Sequence, residues 1–190
     1  MKAWEGMADA ELLVITGGVR SGKSAHATAI AEESAGPLLY IATADTESDP
    51  ELAERVLRLR SSRSRRFATI EVPIEVTGGL VSLRGISAAV LDCYGTWIRN
   101  MVGKGMSEGE ITGRVETFVE VARAREHRTI IITSEAGWGA EPTDKIQRQA
   151  RDLHCALNQR LVHAADGVIL MISGLPMRVK ARQALKLFAG

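Results

Sequence analysis

Aromatic side chains are scarce in this chain: three Trp, two Tyr and three Phe among 190 residues. A surface that stacks nucleobases needs several in series, so a single-stranded nucleic-acid platform is not expected. An excess of one charge is missing too. Lys and Arg number 24 against 23 Asp and Glu, a formal net charge of +1, so no global field draws in nucleic acid or an anionic membrane. There are only two cysteines, Cys93 and Cys155. Their separation matches no metal-site spacing, and they read as reduced core residues. No apolar run approaches the ~18 residues of a membrane helix. Met1 to Ala10 carries no apolar stretch ahead of a cleavage site, so neither a membrane span nor a signal peptide is expected and the chain reads as cytoplasmic.

What is present is enough apolar residue, 45% of the chain, for one substantial core and too little length for two domains. We expect an N-terminal extension over 1–11, a nucleotide-binding kinase domain over 12–180 and a tail over 181–190 that is a short basic helix or disordered. Short β-branched runs alternate with helical stretches. Leu12–Ile15, Leu38–Ile41, Phe67–Val72, Ile86–Leu91, Thr129–Thr133 and Gly167–Ile172 read as strands. Ser24–Glu33, Glu51–Arg60, Thr96–Val102, Glu108–Arg125 and Thr143–Ala164 read as helices, the last started by Pro142 and Thr143. Thr46–Pro50 has turn chemistry. The pattern predicts an α/β fold with a mostly parallel sheet flanked by helices.

The strongest motif is Gly17-Gly18-Val19-Arg20-Ser21-Gly22-Lys23-Ser24, which fits G-x-x-x-x-G-K-[ST] with a strand before it and a helix after. Glycines let successive backbone N–H groups curl around a polyphosphate, and the following helix adds its positive end. Lys23 suits the β- and γ-phosphates, and the Ser24 hydroxyl suits magnesium. A nucleoside triphosphate with Mg2+ is therefore expected. Asp92, at the end of an apolar strand, is the natural second metal support, the bland alternative being a helix cap. Glu135 follows another strand, where ligands of open parallel sheets gather. It is a candidate for a metal-bound water or a substrate hydroxyl.

Further pieces extend the motif in order: Tyr40-Ile41-Ala42-Thr43-Ala44, Asp49-Pro50-Glu51 through Val56, Glu71, then Asp92-Cys93 with Trp97 and Asn100. Ser134-Glu135-Ala136-Gly137-Trp138-Gly139-Ala140-Glu141-Pro142, Arg151-Asp152-Leu153 and Asn158-Gln159-Arg160-Leu161 follow, with Ala164-Ala165-Asp166 and Ser173-Gly174 last. From Leu12 to about Lys180 this ordered set resembles the adenosylcobinamide kinase/adenosylcobinamide-phosphate guanylyltransferase family of cobalamin biosynthesis. The resemblance implies phosphorylation of a corrinoid hydroxyl by ATP or GTP, followed by guanylyl transfer through a histidine. It also implies a P-loop sheet of recombinase-core type and a homotrimer. By the same resemblance Gly17 to Ser24 hold phosphates, Ala42, Thr43 and Ala44 line the nucleotide site, Glu71 contacts the nucleotide, and Asp92 supports the metal.

One position departs from the pattern. The family's nucleophilic histidine falls here on Leu59, followed by Arg60, and the chain's histidines are His26, His127, His154 and His163. Leucine neither attacks phosphorus nor leaves it. The reading is therefore a kinase without the covalent guanylyl intermediate. Two alternatives remain open: a nucleotide-binding regulator without turnover, and a recombinase-like DNA-dependent ATPase. Arg55, Arg58, Arg60, Arg63, Arg65 and Arg66 crowd one segment. They form a solvated face, a lid in which Arg60 and Arg63 fork onto phosphate oxygens, or, least favoured by the neutral net charge and the scarce aromatics, a nucleic-acid contact.

Overall fold

The computed structural model describes residues 11–44 and 63–181. Leu59, Arg60, the expected helix over 51–60, the turn at 46–50, most of the N-terminal extension and most of the tail lie outside the described residues. Seven described strands form one sheet: β1 (Leu12–Gly17), β2 (Leu38–Ala42), β3 (Phe67–Glu71), β4 (Ala88–Asp92), β5 (Arg128–Ile132), β6 (Gly167–Ile172) and β7 (Leu175–Lys180). Their order is β3-β2-β4-β5-β1-β6-β7. The first six run parallel, and β7 returns antiparallel to β6.

The central strands are apolar on both faces because both faces are covered. Leu13 and Ile15 of β1 pack with Ala27 and Ile30 of α1 (Lys23–Glu32), together with Leu38 and Tyr40 of β2 and Ile130 and Ile132 of β5. Leu12 and Val14 face the opposite way, into a larger core. There they meet α2 (Val76–Ser82), α3 (Tyr94–Gly103), α4 (Glu108–Arg123) and α5 (Lys145–Ala164). Trp97 anchors that core. Its ring meets Tyr94 and Phe118 edge-on, and its indole N–H donates to the Ile74 carbonyl at 2.7 Å. A buried indole nitrogen needs such a partner.

Element ends shift by a residue or two from the sequence reading, β4 starting at Ala88 rather than Ile86 and α3 at Tyr94 rather than Thr96, and three further features differ from it. Helix α5 begins at Lys145 rather than Thr143, because Asp144 is its cap: the carboxylate accepts from the Gln147 N–H at 2.9 Å. Helix α2 was not expected, since Gly78 and Gly79 depress its propensity. Strand β7 was not expected either; it follows the tight turn at Ser173 and Gly174, both with positive φ. The two cysteines are free and only half-buried. Among the described residues, no helix is long and apolar enough to cross a membrane.

Candidate active site

The phosphate loop leaves the end of β1 in the middle of the sheet. Gly17 has φ 141°, and a Cβ there would lie 2.3 Å from the Met171 carbonyl oxygen of β6. Only glycine fits so close to a neighbouring backbone. Gly22, the residue before α1, has φ 94° and gives the helix no side-chain cap. The first turn of α1 contains no acidic residue. By contrast α4 has a reciprocal Ser107–Glu110 capping box and α5 has Asp144. The positive end of α1 is thus left without an internal counter-anion, which suits an external phosphate. The Ser21 hydroxyl is buried in the loop without a hydrogen-bond partner. Lys23 Nζ donates to the carbonyls of Gly17 at 2.8 Å and Gly18 at 2.6 Å. Burial lowers its pKa, opposed by the nearby Cys93 and Asp92.

Across from the loop, parallel register sets a row of strand ends: Glu71 pairs with Ala42, Ala42 with Asp92, and Asp92 with Ile132. One carboxylate oxygen of Asp92, Oδ2, accepts from Ser24 Oγ at 2.8 Å and from the Tyr40 hydroxyl. Tyr40 is 1% exposed. Burial, then the Asp92 charge, push its phenol pKa upward, so it stays a donor. The Arg63 guanidinium lies over the Tyr40 ring, 3.3 Å from its centroid, and its Nη1 is buried without a hydrogen-bond partner. Arg63 therefore stacks beside the loop, in a pocket it shares with Ser24, Thr28 and Glu32.

A hard cation fits this corner. Ser24 and Asp92 offer two oxygen donors in contact, beside the end of a helix built for phosphate. Among the described residues no group of three His, Cys, Asp or Glu forms a closed metal cage. Magnesium prefers this kind of open arrangement, with one or two protein oxygens and the remaining positions filled by phosphate and water.

Glu135 stands on the other flank. Its Oε1 accepts from the Thr16 hydroxyl at 2.6 Å, which ties it to the strand that carries the loop. Thr43 is fully buried, with its hydroxyl donating to the Cys93 carbonyl at 2.9 Å and accepting from the Cys93 N–H at 2.9 Å. Asn100 donates to the Thr43 carbonyl at 2.7 Å and to the Pro73 carbonyl at 3.1 Å. Thr43 thus locks the turn after Asp92, and Ala42 and Ala44 flank it at the strand end. Glu71 lies two strands from Asp92, roughly 10 Å away at ordinary strand spacing.

The structure sets Asp92 against Ser24 of the loop and Glu135 against Thr16, the residue before the loop. It adds Tyr40, Thr16 and Asn100, to which the sequence alone gave no role. The signal for Tyr40 was a hydroxyl-bearing residue in an otherwise aliphatic strand, one strand away from the acidic end of its neighbour.

Residues 13–179 match the family model described as cobinamide kinase / cobinamide phosphate guanyltransferase. The chain is 29% identical over 182 residues to the bifunctional adenosylcobalamin biosynthesis protein CobU of Salmonella typhimurium, covering 89% of this chain and 99% of that one. It is 30% identical over 168 residues to the bifunctional adenosylcobalamin biosynthesis protein CobP of Pseudomonas aeruginosa, covering 88% and 96%. A solved structure from Pyrococcus horikoshii OT3 superimposes with a TM-score of 0.54 at 9% identity, over 90% of this chain and 86% of that one. That last likeness concerns the fold alone.

Proposed function

This chain belongs to the cobinamide kinase / cobinamide phosphate guanyltransferase family, and from that membership we propose that it acts in cobalamin biosynthesis by phosphorylating the aminopropanol hydroxyl of adenosylcobinamide with ATP or GTP. The observation that carries the reading is the Ser24–Asp92 contact at 2.8 Å beside Lys23 and the uncapped end of α1. This corner is suited to neutralising a triphosphate tail.

In this reading the N–H groups opening α1 hold the β- and γ-phosphates. Lys23 turns from the loop carbonyls to the phosphate oxygens, where it offsets charge that grows during transfer. Ser24 and Asp92 hold Mg2+, which supplies charge neutralisation on those phosphates when bound. Tyr40 fixes the Asp92 carboxylate. The acceptor oxygen bonds to the γ-phosphorus as the bond to the bridging oxygen breaks, and its proton leaves toward Glu135 or water. The loose transition state asks little of a base. The nucleotide-binding unit spans 12–180, with Ala42, Thr43, Ala44, Glu71 and Arg63 assigned to nucleotide binding; Arg60, the other arginine assigned to it, lies outside the described residues.

Because leucine stands at position 59, we propose that guanylyl transfer through a covalent histidine intermediate is lost. The protein works in the cytoplasm as a homotrimer, and light scattering on the purified chain tests the assembly. The central test is incubation with adenosylcobinamide, Mg2+ and ATP or GTP. A corrinoid heavier by one phosphoryl group in the mass spectrum is the expected product. Nucleotide binding without that product sinks the kinase reading. With α-labelled GTP, no stable protein adduct is expected, and an adduct overturns the reading of Leu59.

A further inference from the structure

Next to the phosphate loop a cleft of about 520 Å3 opens between the amino ends of α3 and α5. Cys93, Thr96, Arg99, Ser134, Arg151 and His154 line it. It borders the active site on two sides, since Cys93 follows Asp92 and Ser134 precedes Glu135. Three properties of its walls favour a small anion.

Arg99 is exposed and makes no ion pair or hydrogen bond among the described residues. Arg151 is steadied by Asp152 at 2.8 Å and lies 3.6 Å from Glu141, with 22% of its side chain exposed. Both arginines therefore line one cavity, one unpaired among the described residues and one held in place by Asp152. Helix α3 follows Cys93, which gives it no side-chain cap, and has no acidic residue in its first turn, so its positive end adds to theirs.

His154 adds no charge of its own to this wall. Asn158 Nδ2 donates to the Ser134 carbonyl at 2.9 Å, which fixes the amide. Asn158 Oδ1 then accepts from the Thr133 hydroxyl at 2.7 Å. With its hydrogen used there, Thr133 must accept from His154 Nε2 at 2.8 Å. The ring is neutral, and burial holds its pKa down at about 4. The cavity volume is that of a small-ligand site and too small for a whole corrin ring with its amide arms.

We propose that this cleft is the acceptor side of the site and binds a phosphate monoester, gripped by Arg99 and Arg151, at the end of the acceptor's arm. For the acceptor's identity this rests on the kinase reading; for the phosphate it rests on the two guanidiniums. A bare hydroxyl offers the forks little, whereas the transferred phosphoryl group offers three charged oxygens. The cleft therefore prefers product to substrate.

Isothermal titration of the full chain with adenosylcobinamide phosphate and with adenosylcobinamide tests this directly. The wild type is expected to bind the phosphorylated form tighter by roughly tenfold or more, the scale of a charge-assisted contact. Arg99→Gln removes most of that preference, Arg99→Lys restores part of it, and affinity for Mg2+-ATP stays unchanged. The proposal is overturned if Arg99→Gln keeps the preference intact, or if it weakens both corrinoids alike. Arg99 is a surface residue, so its variants decide the matter even if Arg151→Gln fails to fold. A wild type that makes no phosphorylated corrinoid yet keeps the Arg99-dependent preference sinks the kinase reading and leaves the cleft. Turnover without that preference does the reverse.

Discussion

The two sides of the site are built by opposite means. The phosphate loop is contiguous: eight consecutive residues, Gly17 to Ser24, from the last residue of β1 into the first turn of α1, supply the backbone curl, the ammonium and the hydroxyl. The cleft wall is assembled from pieces far apart in the chain, with Cys93 just before α3 and Arg99 within it, Ser134 after β5, and His154 and Arg151 from α5. A contiguous cradle depends on local conformation and tolerates distant change. An assembled wall depends on how helices pack, so it is exposed to any change in core geometry. Variants can separate these two dependences.

The largest expected effect lies in the loop. Lys23→Ala is expected to lower kcat/KM by about a thousandfold, roughly 4 kcal/mol of transition-state stabilisation, without lowering the melting temperature. A fall in thermal stability matching the lost activity would show that the loop is less independent than its sequence suggests.

The wall is tested by pH. His154 has a folded-state pKa of about 4, below its unfolded value near 6.5. Between those values the unfolded chain binds a proton that the folded chain refuses, so stability rises with pH. This contribution is complete above about pH 6.5 and is lost as pH falls toward 4, by roughly 3 kcal/mol. Denaturant titrations at pH 7.5 and pH 5 on the wild type and His154→Gln measure it. The variant should lose much less stability than the wild type across that interval; parallel losses would remove His154 from the account.

A steric test follows. A Cβ on Gly95 would lie 2.5 Å from His154 Cε1 and 3.0 Å from each ring nitrogen. Because the ring is pinned by Thr133, it cannot swing away. Gly95→Ala is expected to cost about 2 kcal/mol of stability by overpacking, with Mg2+-ATP affinity retained if loop and wall are separate. Joint loss would join them.

The smallest effect is expected at the seam. Tyr40→Phe removes one of two hydrogen bonds to Asp92 Oδ2. It should weaken Mg2+-nucleotide binding by about tenfold, or ~1.4 kcal/mol, and leave metal-free nucleotide binding unchanged. Equal weakening of both would mean that Tyr40 serves the core rather than the metal ligand.

The same contrast explains what could be read from the chain. The loop was legible residue by residue, because its chemistry depends on neighbours in sequence. The sheet was legible from β-branched runs, and Asp92 and Glu135 from their place at strand ends. The Tyr40–Asp92 bond was not, because it depends on the register of β2 against β4. Helix α2 was hidden by Gly78 and Gly79. A Cβ at Gly79 would lie 3.0 Å from Ile70 and 3.2 Å from Val72, so close packing on β3 and its exit, rather than helix propensity, favours glycine there. Strand β7 was hidden because its apolar residues Leu175, Met177 and Val179 alternate on an exposed face. No covered stripe marks it as a strand in the way burial marks β1. The Asp144 cap lay one residue beyond the Pro142-Thr143 start signal.

The tip of the β6–β7 hairpin reaches back to the centre of the sheet. The Gly174 N–H donates to the Ser21 carbonyl at 3.1 Å, and its Cα lies 3.7 Å from where a Cβ on Gly22 would stand. The last strand is thus a buttress for a loop laid down some 150 positions earlier in the chain. A chain cut after β6 would keep every residue of the Gly17–Ser24 motif and still lose the outer support of its phosphate cradle.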